Sequence, residues 1–309
     1  MGLLVVNSDP ERLWGKPLEP TREELTQMYL TFEALEDGSI GVNIPSDVGT
    51  SLVTSVSYSI DEGETWTTTN NVNSTEINIV VDNVKKGDKI LWKGSATRYS
   101  TPSSSSQFMS SEHVNIYGNI MSLLYGDDFI DYDELSSTYT FMNLFKELNV
   151  VNAKGLILSA TTLSQKCYDN MFSDCTSLTT APELPATTLA DYCYGGMFSD
   201  CPSLTTAPEL PATTLAPWCY QYMFLNCTSL TTAPELPATT LTNWCYFYMF
   251  NGCSKLNNVT MLAISITGNN PLGNWTKNVS PTGTFVKAAG VEIPSGTSGI
   301  PSGWTVEEV

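Results

Sequence analysis

The chain of 309 residues carries 32 acidic and 14 basic side chains, a formal charge of −18, and is 41% apolar but only 15% charged. With a pI near 4.2 it offers no basic stripe to displace counterions from nucleic acid, and an anionic membrane surface repels it. Aromatic and branched residues run throughout, which excludes an acidic disordered tail, and the length suits roughly two domains.

Residues 1–27 read as an arm that attaches the protein to a virion or surface partner. Their apolar run, Leu3–Val6, is too short for a secretory signal and has no basic segment before it. No window approaches the roughly 20 apolar residues of a membrane span, so no membrane insertion is expected. Thr21-Arg22-Glu23-Glu24 has the form of a capping box, which predicts one or two helical turns.

Seven strand-like runs come next, at Tyr29–Leu35, Ser39–Ile44, Val53–Ile60, Glu64–Thr68, Thr75–Val81, Lys89–Lys93 and Glu112–Tyr117. Short strands at this density, with turn residues between them, predict an immunoglobulin-like β-sandwich over residues 28–117. Within it, Ser59-Ile60-Asp61-Glu62-Gly63-Glu64-Thr65-Trp66 is similar to the Asp-box of sialidase propellers, whose Asp caps a tight hairpin. A sialidase needs several boxes and an arginine cluster. This chain has one box and only Arg12, Arg22 and Arg98, so the motif is expected to shape a hairpin.

Residues 118–152 form a junction and an N-terminal cap for the C-terminal half. Their acidic run, Asp127 to Glu134, lacks the alternating D-x-D-x-D-G spacing of a calcium loop and reads as solvated charge. From 153 to 262 the chain repeats. The block LTTAPELPATTL occurs unchanged at Leu178–Leu189, Leu204–Leu215 and Leu230–Leu241, each time succeeded by a segment of the form xxCYxxMFxxC. Self-similarity at this period predicts a solenoid whose units bury their apolar faces only against one another. Cys193, Met197 and Cys201 fall at i, i+4 and i+8, which predicts a one- to two-turn helix. The Pro- and Thr-rich block predicts a brief, irregular strand, since Pro182, Pro208 and Pro234 cannot donate to a ladder.

All eight cysteines lie in two columns stepping by 26 residues, from Cys167 and from Cys175. With no C-x-x-C pair and a single distant histidine, His113, they are expected to be buried free thiols and not a zinc site. Residues 263–309, rich in turns at Pro294-Ser295-Gly296 and Gly299–Gly303, are expected to cap the C-terminal end.

At these residues the chain resembles the BspA-like leucine-rich-repeat proteins of gut bacteria and their phages. The family's short strand, Ala-Phe-x-x-Cys-x-x-Leu segment and following leucine match Met197-Phe198-Ser199-Asp200-Cys201-Pro202-Ser203-Leu204. Met replaces the usual Ala, and the Pro-containing strand lengthens the period. The clear match covers Leu156–Leu262, with degenerate units at Asn143–Leu148 and Leu256–Val259 on its flanks. The resemblance implies a surface adhesion or binding protein that contacts a host protein or glycan.

Three sets of repeated side chains are candidate contacts. Tyr192, Trp218 and Trp244 form an aromatic column whose identity varies from unit to unit, as at a surface, and it is the first choice. Tyr222 and Tyr248 form a partial second column. Glu183, Glu209 and Glu235 recur as a carboxylate column that could meet cations or sugar hydroxyls. The column Tyr168, Tyr194, Tyr220 and Tyr246 lies beside the cysteines.

No catalytic constellation is legible. Any Ser-His or Cys-His pair must use His113, and neither a G-x-x-x-x-G-K-[ST] nor a G-x-G-x-x-G loop is present. A non-enzymatic protein without cofactor is therefore expected. The missing export signal favours a virion fibre or decoration protein. The alternatives are a cell-surface lipoprotein whose signal has been removed, and a purely structural spacer.

Overall fold

The computed structural model describes residues 21–49, 52–70 and 76–309. Most of the arm, residues 1–20, and Thr75 at the start of one expected strand lie outside the described residues. The protein is mainly β, with short helices.

The capping box forms as expected. Thr21 Oγ1 accepts from the Glu24 N–H and the Glu24 carboxylate accepts from the Thr21 N–H, opening α1, Arg22–Thr26. Eight strands come after it: β1 (Leu30–Ala34), β2 (Gly38–Ile44), β3 (Val53–Ser59), β4 (Thr67–Asn70), β5 (Ile77–Val84), β6 (Lys89–Ala96), β7 (Gln107–Ser110) and β8 (Val114–Asn119). A single turn, α2 (Ser46–Gly49), sits between β2 and β3. Strand β7 was not expected, because its only large buried side chain is Phe108 and serine surrounds it. It pairs with β2, which also pairs with β5.

The other sheet runs β8-β1-β6-β3-β4, antiparallel throughout. Period-two burial decides which faces meet: β5 turns Ile77, Ile79 and Val81 inward and their neighbours outward. The two sheets pack face to face through Phe108, whose ring centroid lies 4.9 Å from Phe32 and 5.1 Å from Trp92.

After β8 come α3 (Ser122–Tyr125) and a 3-10 turn over Gly126–Asp131. Two short parallel strands, β9 (Val150–Asn152) and β10 (Leu156–Ile157), then add to the free edge of β8. The first sheet thus continues into the repeats. From Asn152, single-residue parallel bridges step to Thr180 and then Thr206, and from Thr232 to Asn258. A small parallel pair joins β11 (Thr240–Leu241) to β13 (Ser265–Ile266). The main ladder widens again in β12 (Asn258–Met261), β14 (Thr284–Lys287) and β15 (Thr305–Glu308). The prolines keep the middle of the ladder down to isolated bridges, as expected.

The expected helices in the repeats do not form. The xxCYxxMFxxC segments are runs of four-residue turns in which every fourth residue is left-handed: Tyr192, Gly196 and Asp200 in one unit, Trp218, Tyr222 and Asn226 in the next, Trp244, Tyr248 and Gly252 after that. The N–H groups alternate in partner. Those of Cys193, Gly195, Met197 and Ser199 donate three residues back, to Ala190, Tyr192, Tyr194 and Gly196. Those of Tyr192, Tyr194, Gly196, Phe198 and Asp200 cross to carbonyls of the next unit, at Pro217, Cys219, Gln221, Met223 and Leu225. Beyond its first turn an α-helix would direct these donors back along its own chain and leave no alternating set to join units. A four-residue turn also brings i, i+4 and i+8 to one side, so the cysteine–methionine spacing is common to both structures. The same geometry extends to Tyr139, Asn143 and Glu147 before the clear repeats and to Asn270, Asn274 and Asn278 after them.

Each turn segment buries two adjacent residues per turn, and these stack along the units. Phe145, Phe172, Phe198, Phe224 and Phe250 lie 5.3–5.8 Å apart in succession. Tyr168, Tyr194, Tyr220 and Tyr246 lie 5.7–6.1 Å apart. Both columns end on one buried ring, Trp275, 6.0 Å from Phe250 and 6.3 Å from Tyr246, whose Nε1–H donates to Gly299 O at 2.8 Å.

This packing can be tested at two positions. Trp275→Ala removes the ring that closes both columns and is expected to lower the unfolding free energy by about 3–5 kcal/mol, read from urea melts. The hydroxyls of Tyr168, Tyr194 and Tyr220 are buried and have no hydrogen-bond partner among the described residues. Tyr194→Phe is therefore expected to leave stability unchanged or raise it by about 1 kcal/mol; a loss in the same melts would show that the hydroxyl has a partner.

Candidate functional site

The left-handed positions of the turn segments project the first-choice column. Tyr192, Trp218 and Trp244 have φ of 59°, 56° and 51°, and all three are half-buried. A left-handed non-glycine residue costs on the order of 1–3 kcal/mol, so something must hold these three. The rings stack on one another: Tyr192 to Trp218 at 5.0 Å and Trp218 to Trp244 at 4.9 Å, both 6° from parallel. Such pairs return about 0.5–1.5 kcal/mol each.

One end of the column is closed by Lys166, whose Nζ lies 4.8 Å over the Tyr192 ring. At the other end, the position 26 residues beyond Trp244 holds Asn270, which is exposed. Trp244 is therefore the terminal ring. The faces of the inner rings are spent on each other.

The second column is looser. Tyr222 and Tyr248 are 5.4 Å apart and tilted by 41°, with Phe247 edge-on to both and Asn274 Nδ2 donating to the Tyr248 hydroxyl at 3.1 Å. Burial, then Tyr248, raises the Tyr222 hydroxyl above its ordinary pKa. Glu183, Glu209 and Glu235 are all exposed, and Glu183 pairs with Arg22 of α1. That exposed ion pair adds little stability. The tyrosine column from Tyr168 to Tyr246 is core and reaches no surface.

All eight cysteines are free and buried. One column is bonded: the thiols of Cys175, Cys201, Cys227 and Cys253 donate to the carbonyls of Phe145, Phe172, Phe198 and Phe224, at 3.0–3.1 Å. Burial pushes Cys193, Cys245 and Cys253 up to about 12. The thiols are packing groups without nucleophilic character.

The Asp-box builds the β3–β4 hairpin. Asp61 accepts from the Thr65 hydroxyl at 2.6 Å, the Thr65 N–H at 2.9 Å and the Ser59 hydroxyl at 2.7 Å, and these bonds hold its carboxyl down at about 2. Trp66 closes the hairpin against Tyr29 at 4.9 Å, with Lys93 Nζ 4.1 Å over its ring. In the acidic junction Asp127 pairs with Lys93 at 2.7 Å. Among the described residues no group of three or more His, Cys, Asp or Glu is placed to hold a metal ion, and no helix is long and apolar enough to cross a membrane.

His113 does meet a serine. Its Nε2 lies 3.1 Å from Ser177 Oγ and its Nδ1 3.4 Å from Glu36 Oε1. That is the order of a hydrolytic triad, which sequence separation hid. The hollow beside it, lined by Glu36, Ser39 and His113, has no room for a water-sized group. The contact ties the first repeat to the sheets.

In comparison with known proteins, no family model, curated protein or solved structure matches this chain.

One residue near the column was not singled out from sequence. Asp169 is buried, and burial, opposed by Lys166 3.8 Å away, pushes its carboxyl up to about 7. The following units carry Gly195, Gln221 and Phe247 at this position. A carboxyl with a raised folded-state pKa binds protons more tightly folded than unfolded, so its destabilising effect grows from about pH 4 to 7 and is constant above. Asp169→Asn is expected to raise the melting temperature by an amount that grows across that window and then levels off. A pH-independent change would show that the carboxylate is not desolvated.

Proposed function

We propose that the chain is a non-enzymatic, surface-displayed adhesion or binding protein: an immunoglobulin-like sandwich carrying a BspA-like leucine-rich-repeat solenoid that contacts a host protein or glycan, as part of a virion or of a cell surface. The observation that carries this reading is the half-exposed stack of Tyr192, Trp218 and Trp244. Rigid Tyr and Trp side chains dominate binding hot spots because they offer large contact area at little entropic cost. The repeat block 153–262 has 7 acidic and 3 basic residues and is only weakly charged for its length.

A purely structural spacer would need end-to-end contact through the exposed strand β15. That strand carries Glu307 and Glu308, the latter paired with Lys287, and charged side chains on an edge discourage strand addition. Binding through the repeat face is the better-supported reading.

The test is binding of labelled full-length protein to panels of gut bacterial and epithelial cells. Removing both tryptophans of the stack together, Trp218→Ala with Trp244→Ala, is expected to weaken binding at least tenfold while the double variant still unfolds cooperatively. Undiminished binding by the folded double variant overturns the assignment of the contact face. Antibody labelling of virions and of cells separates the two display sites.

A further inference from the structure

The cation that closes the aromatic column is itself flanked by two rings. The left-handed positions of three successive units hold Tyr139, Lys166 and Tyr192, with φ of 61°, 57° and 59°. Tyr139 belongs to the unit before Lys166 and Tyr192 to the unit after. The Lys166 ammonium lies 5.9 Å over the first ring and 4.8 Å over the second. It takes the place of a ring in the column, and it covers Tyr192 with a charge where Trp218, from the next unit, covers it with an indole.

A lysine in that place needs an anchor. Its ammonium is strongly hydrated on a flexible stem, and two ring faces alone hold such a group poorly. The anchor is Asp169, three residues on in the same unit, 3.8 Å from Nζ and only 7% exposed. The following unit makes room for its carboxylate. A β-carbon at Gly195 would fall 2.6 Å from Asp169 Oδ1. The left-handed glycine of that unit is Gly196, so it is the carboxylate, and not backbone conformation, that asks for glycine at 195. Later units carry Gln221 and Phe247 at this position, and the arrangement occurs once in the repeats.

We propose that Asp169 and Lys166 form an acid-responsive latch on the contact face: the carboxylate holds the ammonium between Tyr139 and Tyr192, and protonation of the carboxyl releases it to solvent and uncovers Tyr192. Burial, opposed by Lys166, sets the carboxyl at about 7, so the change falls near neutral pH. On acidification the pair passes from no net charge to one positive charge. Other groups face it from both sides. Burial, then Asp169 and Asp191, raises the Tyr192 hydroxyl, and burial pushes the Cys193 thiol up to about 12, so both of these stay neutral. Asp191 is the other carboxylate beside Tyr192, and its carbonyl accepts from the Lys166 N–H. From the unit before come the Tyr139 ring and the uncharged Asn143, whose N–H donates to the Asp169 carbonyl. That the latch acts on binding rests on the adhesion reading.

The experiment is a ¹³C NMR titration of the full-length protein, labelled at the lysine ε-carbons, from about pH 8.5 to about pH 5. Lys166→Arg identifies the Lys166 signal by its loss. In the unsubstituted protein the Lys166 ε-protons are expected upfield at high pH, shifted by the two tyrosine rings, and to move to the position of exposed lysines as the pH falls through about 7. In Asp169→Asn they are expected at the exposed position throughout, in a variant that still unfolds cooperatively. An upfield signal that persists at about pH 5, or in folded Asp169→Asn, overturns the latch; the titration of the unsubstituted protein decides this even without the variant. At about pH 8, Asp169→Asn is expected to bind cells at least threefold more tightly than the unsubstituted protein, and equal binding overturns the gating. Lys166 held fast in a protein whose cell binding is lost in Trp218→Ala with Trp244→Ala removes the latch and leaves the adhesion reading. Lys166 released by acid in a protein that binds no cell does the reverse.

Discussion

Within each turn segment of this protein, every second backbone N–H closes a turn and the others reach across to the unit beside it. A buried N–H without an acceptor costs about as much as a lost hydrogen bond, so a unit with no neighbour would strand five donors at once. No unit is a stable object alone. The left-handed residues that reset each turn add to the cost, and where side chains allow, the sequence lowers it with Asn, Asp or Gly. Gly196 is needed twice over: it is left-handed, and a β-carbon there would fall 2.3 Å from Asn170 Oδ1 of the unit before. The structure therefore depends on neighbours being present, and its two ends are where that dependence must be met by something else.

At the N-terminal end the antiparallel sheets meet it. Strand β8 lends its free edge to β9 and β10, and Phe145 packs against both Phe32 and Phe108, at 6.0 and 5.7 Å. The phenylalanine column is thus continuous with the core between the sheets. At the C-terminal end, Trp275 covers both buried columns and passes the contact to Phe285 of β14, at 6.0 Å. Between these ends the cysteines are packed in the core, one column of them also satisfying carbonyls of the preceding unit. The two halves of the chain share one apolar core.

Charge is distributed to match. Residues 1–117 hold 16 acidic and 8 basic side chains, and residues 118–152 hold 6 and 1, whereas the repeats are close to neutral. Paired acids in the first half act on structure: Asp61 in its hairpin, Asp127 on Lys93. In the repeats, the one buried carboxyl, Asp169, leans on Lys166, which in turn covers Tyr192. That arrangement closes the half-buried aromatic column at one end with a cation.

Much of this was legible in the amino-acid sequence. The capping box at Thr21, the hairpin at Asp61, seven of the eight strands β1–β8 within a few residues of each end, and the buried thiols all depend on local chemistry or on strict recurrence. Other features were not. Spacing at i, i+4 and i+8 is shared by a helix and by four-residue turns, and only the destination of the alternate N–H groups tells them apart. Strand β7 has too little apolar signal to stand out without β2 beside it. Ser177 is 64 residues from His113, and nothing local announces that they touch. The sequence by itself determined the period, the polarity of each column and the identity of the core. Only the tertiary structure decided that the exposed aromatic faces are spent on one another as far as Trp244, because stacking is a contact between units that no single unit can specify.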